Sequence, residues 1–294
     1  MPSTVRLSKH INWIKTWPML IALLVAWPLS AAAQQRPLLT EEVEVVDPGT
    51  VRLEIGFDFF QNQRFALSGL RGDLTNIGVI GLTFGFAPNV ELQIQGVLQQ
   101  FLSINEREPG AIPLDLPRVN STNDVGDFSV SAKFLVRRET RRAPAIGFRV
   151  GAGLPTSNQA RGIGVNQTNY FTTLLVGKHV GRLNLSGNIG LGIFPAPVEP
   201  FSQNDMLLYG LAGTYRLNKW LDLLGEVNGR ANTRSGNAPL GTESQGQARL
   251  GLQLHTGALH WDIAAIKGLT RHSPRGGISF GLTYQTKVFR PVNQ

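Results

Sequence analysis

The stretch RLNLSGNIGLGI, residues 182 to 193, alternates in chemistry from one residue to the next. Leu183, Leu185, Ile189, Leu191 and Ile193 fall on one parity, and Arg182, Asn184, Ser186 and Asn188 on the other. A strand sends successive side chains to opposite faces, so this segment has one oily face and one wet face.

The same alternation recurs along most of the chain. Val51, Leu53, Ile55, Phe57 and Phe59 interleave with Arg52, Glu54, Gly56 and Asp58. Ile80, Leu82, Phe84 and Phe86 lead into a turn at Ala87–Asn89, and Val90, Leu92, Ile94 and Leu98 follow it. Comparable sets occupy residues 128–136, 146–150, 168–180, 204–217, 220–231, 243–256, 258–268 and 275–288, and the total is twelve strands. The connections at 87–89, 138–142, 181, 218–219 and 257 are short, whereas those at 102–123, 154–167, 194–203 and 232–242 are long and rich in polar, proline or glycine residues. Short turns at one end, longer loops at the other and an even strand count form the pattern of a bilayer-spanning barrel. The expected fold is therefore all-β, a twelve-stranded antiparallel transmembrane β-barrel over residues 50–289. An exported soluble sandwich or lipocalin-like barrel is the alternative, because alternation alone does not say which face turns outward.

The N-terminus carries Arg6, Lys9 and Lys15 ahead of the largely apolar run Trp17–Leu29 and the small residues Ser30, Ala31, Ala32 and Ala33. That is the layout of a secretory signal peptide over residues 1–33. Residues 34–49 then read as a periplasmic tail and 290–294 as a short C-terminal tail. No later segment offers 18 consecutive apolar residues for a helical span. The absence of cysteine excludes disulfides and a lipid-anchored N-terminal cysteine. The formal charge of +8 includes the three basic residues of the leader, leaving +5, and the basic residues are scattered rather than gathered in a nucleic-acid-binding stripe.

The wet parity carries Arg52, Glu54, Asp58, Glu91, Lys133, Arg149, Arg182, Glu226, Arg230, Arg249 and Asp262. An Arg or Lys at the lipid midplane costs roughly 2–4 kcal/mol, so these residues are expected to face the lumen. There they either fill the barrel as an ion-pair network or form a charged constriction. Lys133, Arg149, Glu226, Arg230, Arg52 and Glu54 are the candidate pore-lining residues. Lys267 shares the parity of Trp261, Ile263 and Ala265, and its place at a strand end lets the ammonium reach the headgroup zone. The strand glycines are expected to relieve crowding and permit bends in a curved wall. Glu106, Arg107 and Glu108 belong to a loop that either folds inward or stays solvated.

His179, His255, His260 and His272, with Ser273 beside the last, are the residues an envelope esterase or phospholipase would use. Sequence proximity does not make a triad, no metal-ligand spacing is present, and neither a catalytic residue nor a cofactor is expected.

The ordered motifs GLTFGFAPNVELQIQG, GDFSVSAKFLV, GLPTSN, LNLSGNIGLG, LNKWLDLLGEVNG and GLTRHSPRGGISFGLTY cover most of the chain. In this order they resemble the meta-pathway of phenol degradation family of Gram-negative outer-membrane transporter-like β-barrels. The resemblance implies a channel-like role and an envelope location; it maps no catalytic or ligand residue onto this chain. Phe289 resembles the terminal aromatic of many such barrels, with Arg290–Gln294 extending beyond it.

The expectation is passive transfer of small polar or amphipathic solutes, aromatic ones included, across the outer membrane, with both termini periplasmic. Lipid, lipopolysaccharide and the outer-membrane assembly machinery are the expected partners, nucleic acid is not, and the oligomeric state is open. An internally plugged structural or assembly barrel is the principal alternative, and an outer-membrane esterase or phospholipase the other.

Overall fold

The computed structural model describes residues 36–116, 119–199 and 202–289. The expected signal peptide and the tail at 290–294 lie outside the described residues. The strands are β1 (Thr50–Phe65), β2 (Leu70–Ala87), β3 (Val90–Arg107), β4 (Ser121–Asp124), β5 (Phe128–Arg137), β6 (Ala145–Leu154) and β7 (Asn169–Val180). They continue as β8 (Leu183–Phe194), β9 (Asn204–Arg216), β10 (Leu221–Asn232), β11 (Gln245–Thr256), β12 (Leu259–Gly268) and β13 (Gly276–Lys287).

Each wall strand pairs antiparallel with its neighbours, and β1 meets β13 from Thr50 opposite Lys287 to Gln61 opposite Gly276, which closes the sheet. β5 runs along β3 at residues 90–95 and β4 along the same edge at 100–103. The short β4 thus prolongs the line of β5 without adding to the circumference, and the closed wall has twelve strands. Closure removes the unpaired edges that an open sheet would present.

The outward face decides between lipid and water as surroundings. Ile189 and Leu191 are 56% and 58% exposed, whereas Ser186 on the other parity is 6% exposed. Leu53, Ile55, Leu211, Leu250, Ile263 and Ile278 continue this exposed apolar surface around the barrel. A soluble sandwich or lipocalin-like barrel would turn these side chains inward, so that alternative is overturned. The buried set instead includes Arg52, Glu54, Glu91, Lys133, Glu226 and Arg249.

Three local differences from the expected layout have physical causes. β3 continues past the predicted loop start to Arg107, because Leu102 and Ile104 stay inward and bury against Leu70, Leu74 and Ile163. With β4 at 121–124, the intervening loop contracts to residues 108–120. Gly78, at φ +66°, inserts an extra residue between the pairs Phe57–Ile77 and Gly56–Val79. This bulge shifts the inward parity of β2 from Leu74 and Asn76 to Gly81 and Thr83. Finally, Arg182, expected on the inward parity of a strand, sits exposed in the two-residue turn before β8. There the chain reverses at Gly181, with φ +62°, and no longer imposes strand parity.

Candidate functional site

The barrel's inner wall is polar, yet a chain segment occupies it. Residues 36–49 do not hang from the barrel as a free tail; they run across the lumen and touch the wall on many sides. Arg36 lies 3.6 Å from Asp58 on β1 and 3.8 Å from Asp262 on β12, and its guanidinium donates to Ser279 Oγ on β13 at 3.1 Å. The Pro37 carbonyl accepts from Arg249 on β11 at 2.9 Å. Leu38 is buried between Ala212 on β9 and Leu224 on β10.

Glu226 on β10 holds the next turn of the path. Its carboxylate accepts from the backbone N–H groups of Leu39 at 2.9 Å and Thr40 at 2.8 Å, and from Thr40 Oγ1 at 2.7 Å. A carboxylate with several donors around it is well satisfied away from water. Arg249 stands 3.6 Å from the same carboxylate.

On the opposite wall the segment supplies the charge. Glu41 bridges Lys133 at 3.0 Å and Arg149 at 3.1 Å, and it accepts from Gln93 at 2.8 Å. Lys133 is 1% exposed and also meets Glu91 at 2.9 Å and the Glu42 carbonyl at 2.9 Å. A buried ammonium carries a large desolvation cost, which these three oxygens offset. Arg149 donates further to Ser131 Oγ and Gln95 Oε1, and Arg52 lies 4.0 Å from Glu91. Asn184 on β8 donates to Glu42. Val43 then enters an apolar nest of Leu135, Ala145 and Leu175, and the Val46 N–H donates to Glu91 at 2.7 Å.

Several inward glycines lie directly under this path. A side-chain carbon at Gly177 or Gly147 would meet Val43 at 3.1–3.2 Å, and one at Gly210 would meet Thr40 at 2.7 Å. At these positions glycine leaves space for the crossing segment, a role distinct from the expected bending of the wall.

The segment separates two cavities. The one on the loop side measures 460 Å³ and is bordered by Leu39, Thr40, Glu41, Arg149, Phe171 and Arg230. The one on the turn side measures 520 Å³ and is bordered by Glu42–Val45, Asn184, Arg216, Asp222 and His255. In the loop-side cavity Arg149 stacks 5.0 Å from the Phe171 ring centre; at its rim Arg230 lies 5.3 Å from that of Phe194. Such cation–aromatic pairs keep guanidinium groups oriented while leaving N–H groups for another acceptor. Above them Leu114 and Leu116 fold down against the Leu70, Leu74, Leu102, Ile104 and Ile163 cluster. Glu106 stays at the rim, paired with Arg71 at 2.9 Å.

The six candidate pore-lining residues divide into two groups. Lys133, Arg149, Glu226 and Arg52 belong to the network that holds the crossing segment. Glu54 accepts at 3.4 Å from the Arg36 backbone N–H, so it joins the same network at its start. Arg230 stands apart, donating to the Glu243 carbonyl on the loop side. Sequence reasoning missed the segment's own members, above all Arg36, Thr40 and Glu41. The available signal was the acidic concentration Glu41, Glu42, Glu44 and Asp47 immediately before a wall with inward Arg and Lys.

The candidate hydrolytic group does not assemble. His179, His255 and His260 lie at the turn end, where His255 meets Asp222 and His260 at 3.0 Å each and His179 meets Glu139 at 2.6 Å. Ser273 and His272 are on the β12–β13 loop at the other end, and Ser273 Oγ is engaged by the Gly246 backbone.

Neither a family model nor a curated protein matches this chain. Among solved structures it is similar to an outer membrane channel from Pseudomonas putida F1, at 16% identity over 83% of this chain and 97% of that one, with a TM-score of 0.58. The fold is that of an outer-membrane β-barrel. More distant similarities include the NanC porin (9% identity, 80% and 98% covered, TM-score 0.49) and the translocator domain of the autotransporter NalP from Neisseria meningitidis (13%, 80% and 88%, 0.46). At these identities the likeness is one of fold, and the interior network belongs to this chain's own residues.

Proposed function

We propose that this protein is an outer-membrane channel for small amphipathic solutes, closed in the observed state by residues 36–49. The observation that carries the reading is the pair of cavities, 460 and 520 Å³, with a single hydrogen-bonded chain segment between them. A barrel filled for structure alone has no need of open space on both sides of a single chain segment. Arg149 and Arg230 beside Phe171 and Phe194 favour a solute that presents an anionic head and an apolar body. Once the segment withdraws, Lys133, Arg149, Glu226, Arg230, Arg52 and Glu54 line the path, and the end with the longer loops faces outward. The order of the glycine-rich motifs supports kinship with the phenol-degradation family of barrels, and the wall's apolar belt supports an outer-membrane location with lipid and lipopolysaccharide around it.

The test uses the absence of native cysteine. An ideal side-chain carbon on Gly177 lies 3.5 Å from Val43 Cβ, within disulfide range. The double variant Val43→Cys/Gly177→Cys is reconstituted for single-channel recording and for liposome swelling with neutral, anionic and aromatic solutes. Oxidation is expected to hold the channel shut and reduction to restore openings. Equal conductance in both redox states would refute the gate. Verified insertion with no conductance in either state, or in the unmodified protein, would favour the internally plugged structural barrel. Labelling of Ser235→Cys by an impermeant maleimide on intact cells checks that the loop end faces outward.

A further inference from the structure

The two arginines Arg64 on β1 and Arg71 on β2 stand directly opposite one another across the strand pair. Like charges in that position oppose pairing. They do not stand alone: Lys267 at the end of β12 and Arg271 and Arg275 on the following loop border the same 410 Å³ pocket. Glu106 pairs with one member, Arg71, at 2.9 Å, and the nearby Asp73 carboxylate is occupied by the Asn62 backbone N–H at 2.9 Å. Among the described residues the other four cations have no carboxylate partner.

The pocket's position narrows its ligand. Lys267 shares the lipid-facing parity of Trp261, Ile263 and Ala265, two residue pairs beyond Ala265–Ile278 in the β12–β13 ladder. Ile263 and Ile278 are exposed just below it, so the cation cluster stands where the apolar belt ends. An aqueous anion would find the cations, but only a lipid could engage the cations and the belt together. Arginine's fork suits the oxygens of a phosphomonoester, and five cations in one pocket match a doubly charged group better than a phosphodiester.

We propose that this pocket binds a lipid-borne phosphomonoester of the leaflet at the loop end. The leaflet assignment rests on the outward orientation of that end, whereas the binding itself does not depend on channel activity. Native mass spectrometry of the purified full barrel in detergent would compare lipid A bearing both phosphates, enzymatically dephosphorylated lipid A, phosphatidylglycerol and inorganic phosphate. The expected result is a one-to-one adduct with phosphorylated lipid A that survives excess inorganic phosphate. The triple variant Lys267→Gln/Arg271→Gln/Arg275→Gln should weaken it, by roughly tenfold for each cation that donates to the phosphate. The single Arg271→Gln, at an exposed loop position, should act in the same direction, and Arg141→Gln/Arg142→Gln at the turn end should leave binding unchanged. Heat-modifiable gel migration verifies that every variant is folded. Equal binding of dephosphorylated lipid A or of phosphatidylglycerol, full displacement by inorganic phosphate, or retention in both the triple and the single variant would each overturn the proposal. Because the readout is an adduct, a barrel without conductance but with this adduct would break the channel reading alone.

Discussion

From Arg36 to Glu42 the interior segment meets the wall mainly through charge and hydrogen bonds, with Glu226 gathering two backbone N–H groups and Glu41 bridging Lys133 and Arg149. From Val43 to Gly49 apolar packing takes a larger share: Val43 fills an apolar nest, the Val46 N–H donates to the Glu91 carboxylate, and Gly49 donates to the Gly85 carbonyl. The first half is specified by donors and acceptors that must be matched one by one. The second half is specified by shape, which resists salt and tolerates similar volumes. In the proposed gating role, the polar part is the one that solute charge can compete for and the apolar part is the anchor.

The largest test of that contrast removes the polar half together with Val43–Val46 of the other. Deleting residues 36–46 should move the channel from mostly closed to mostly open, raising mean conductance roughly tenfold or more in single-channel records. A conductance equal to that of the intact chain would dissolve the comparison altogether. Breaking only the polar half comes next: Lys133→Met leaves Glu41 and Glu91 buried without their shared cation, a loss of about 3–5 kcal/mol. Hydrogen exchange of the Thr40–Val46 amides should accelerate accordingly. Trimming the apolar half is expected to matter less. Val43→Ala should cost about 1–2 kcal/mol by the same measurement, with little dependence on salt. If Val43→Ala exceeded Lys133→Met, the anchor and the lock would have to exchange places.

The smallest effect lies outside the lumen, in the β5–β6 turn. Hydrogen bonds from Lys178 and then His179 hold the Glu139 carboxyl at about 2, below its ordinary 4.5. A depressed carboxyl contributes stability that is complete above about pH 4.5 and fades as pH falls toward 2. Protease nicking of residues 138–144 should therefore rise over that window in the native chain, and Glu139→Gln should make the turn equally susceptible across it.

Most of the wall was legible because a strand's period of two assigns each side chain a face with no tertiary information. Arg52, Lys133 and Glu226 follow from parity alone, as does the apolar exterior at Ile189 and Leu191. Parity failed where the backbone left the strand, at Arg182 in its turn and at the Gly78 bulge. The crossing segment was illegible for a different reason. PLLTEEVEVV pairs with no neighbouring strand, so its conformation comes from partners scattered over the barrel; its acidic residues point to basic partners without saying which ones or along what path. The glycines under it were visible as glycines, but the reason for them, a chain passing overhead at Val43 and Thr40, was not.

The separation of the segment's partners along the chain bears on the order of assembly. Leu39 bonds to a residue 187 positions later, and Arg36 to one 243 positions later. Loop closure over such distances is slow unless the intervening strands are already in place. The part of the described chain that leaves the ribosome first is therefore the last to settle, because its seat on Ser279 and Phe280 does not exist until the final strand has joined the first. Occupancy of the lumen by residues 36–49 then serves as a mark of completed closure, and a barrel arrested one hairpin short would keep its N-terminal segment free for proteolysis.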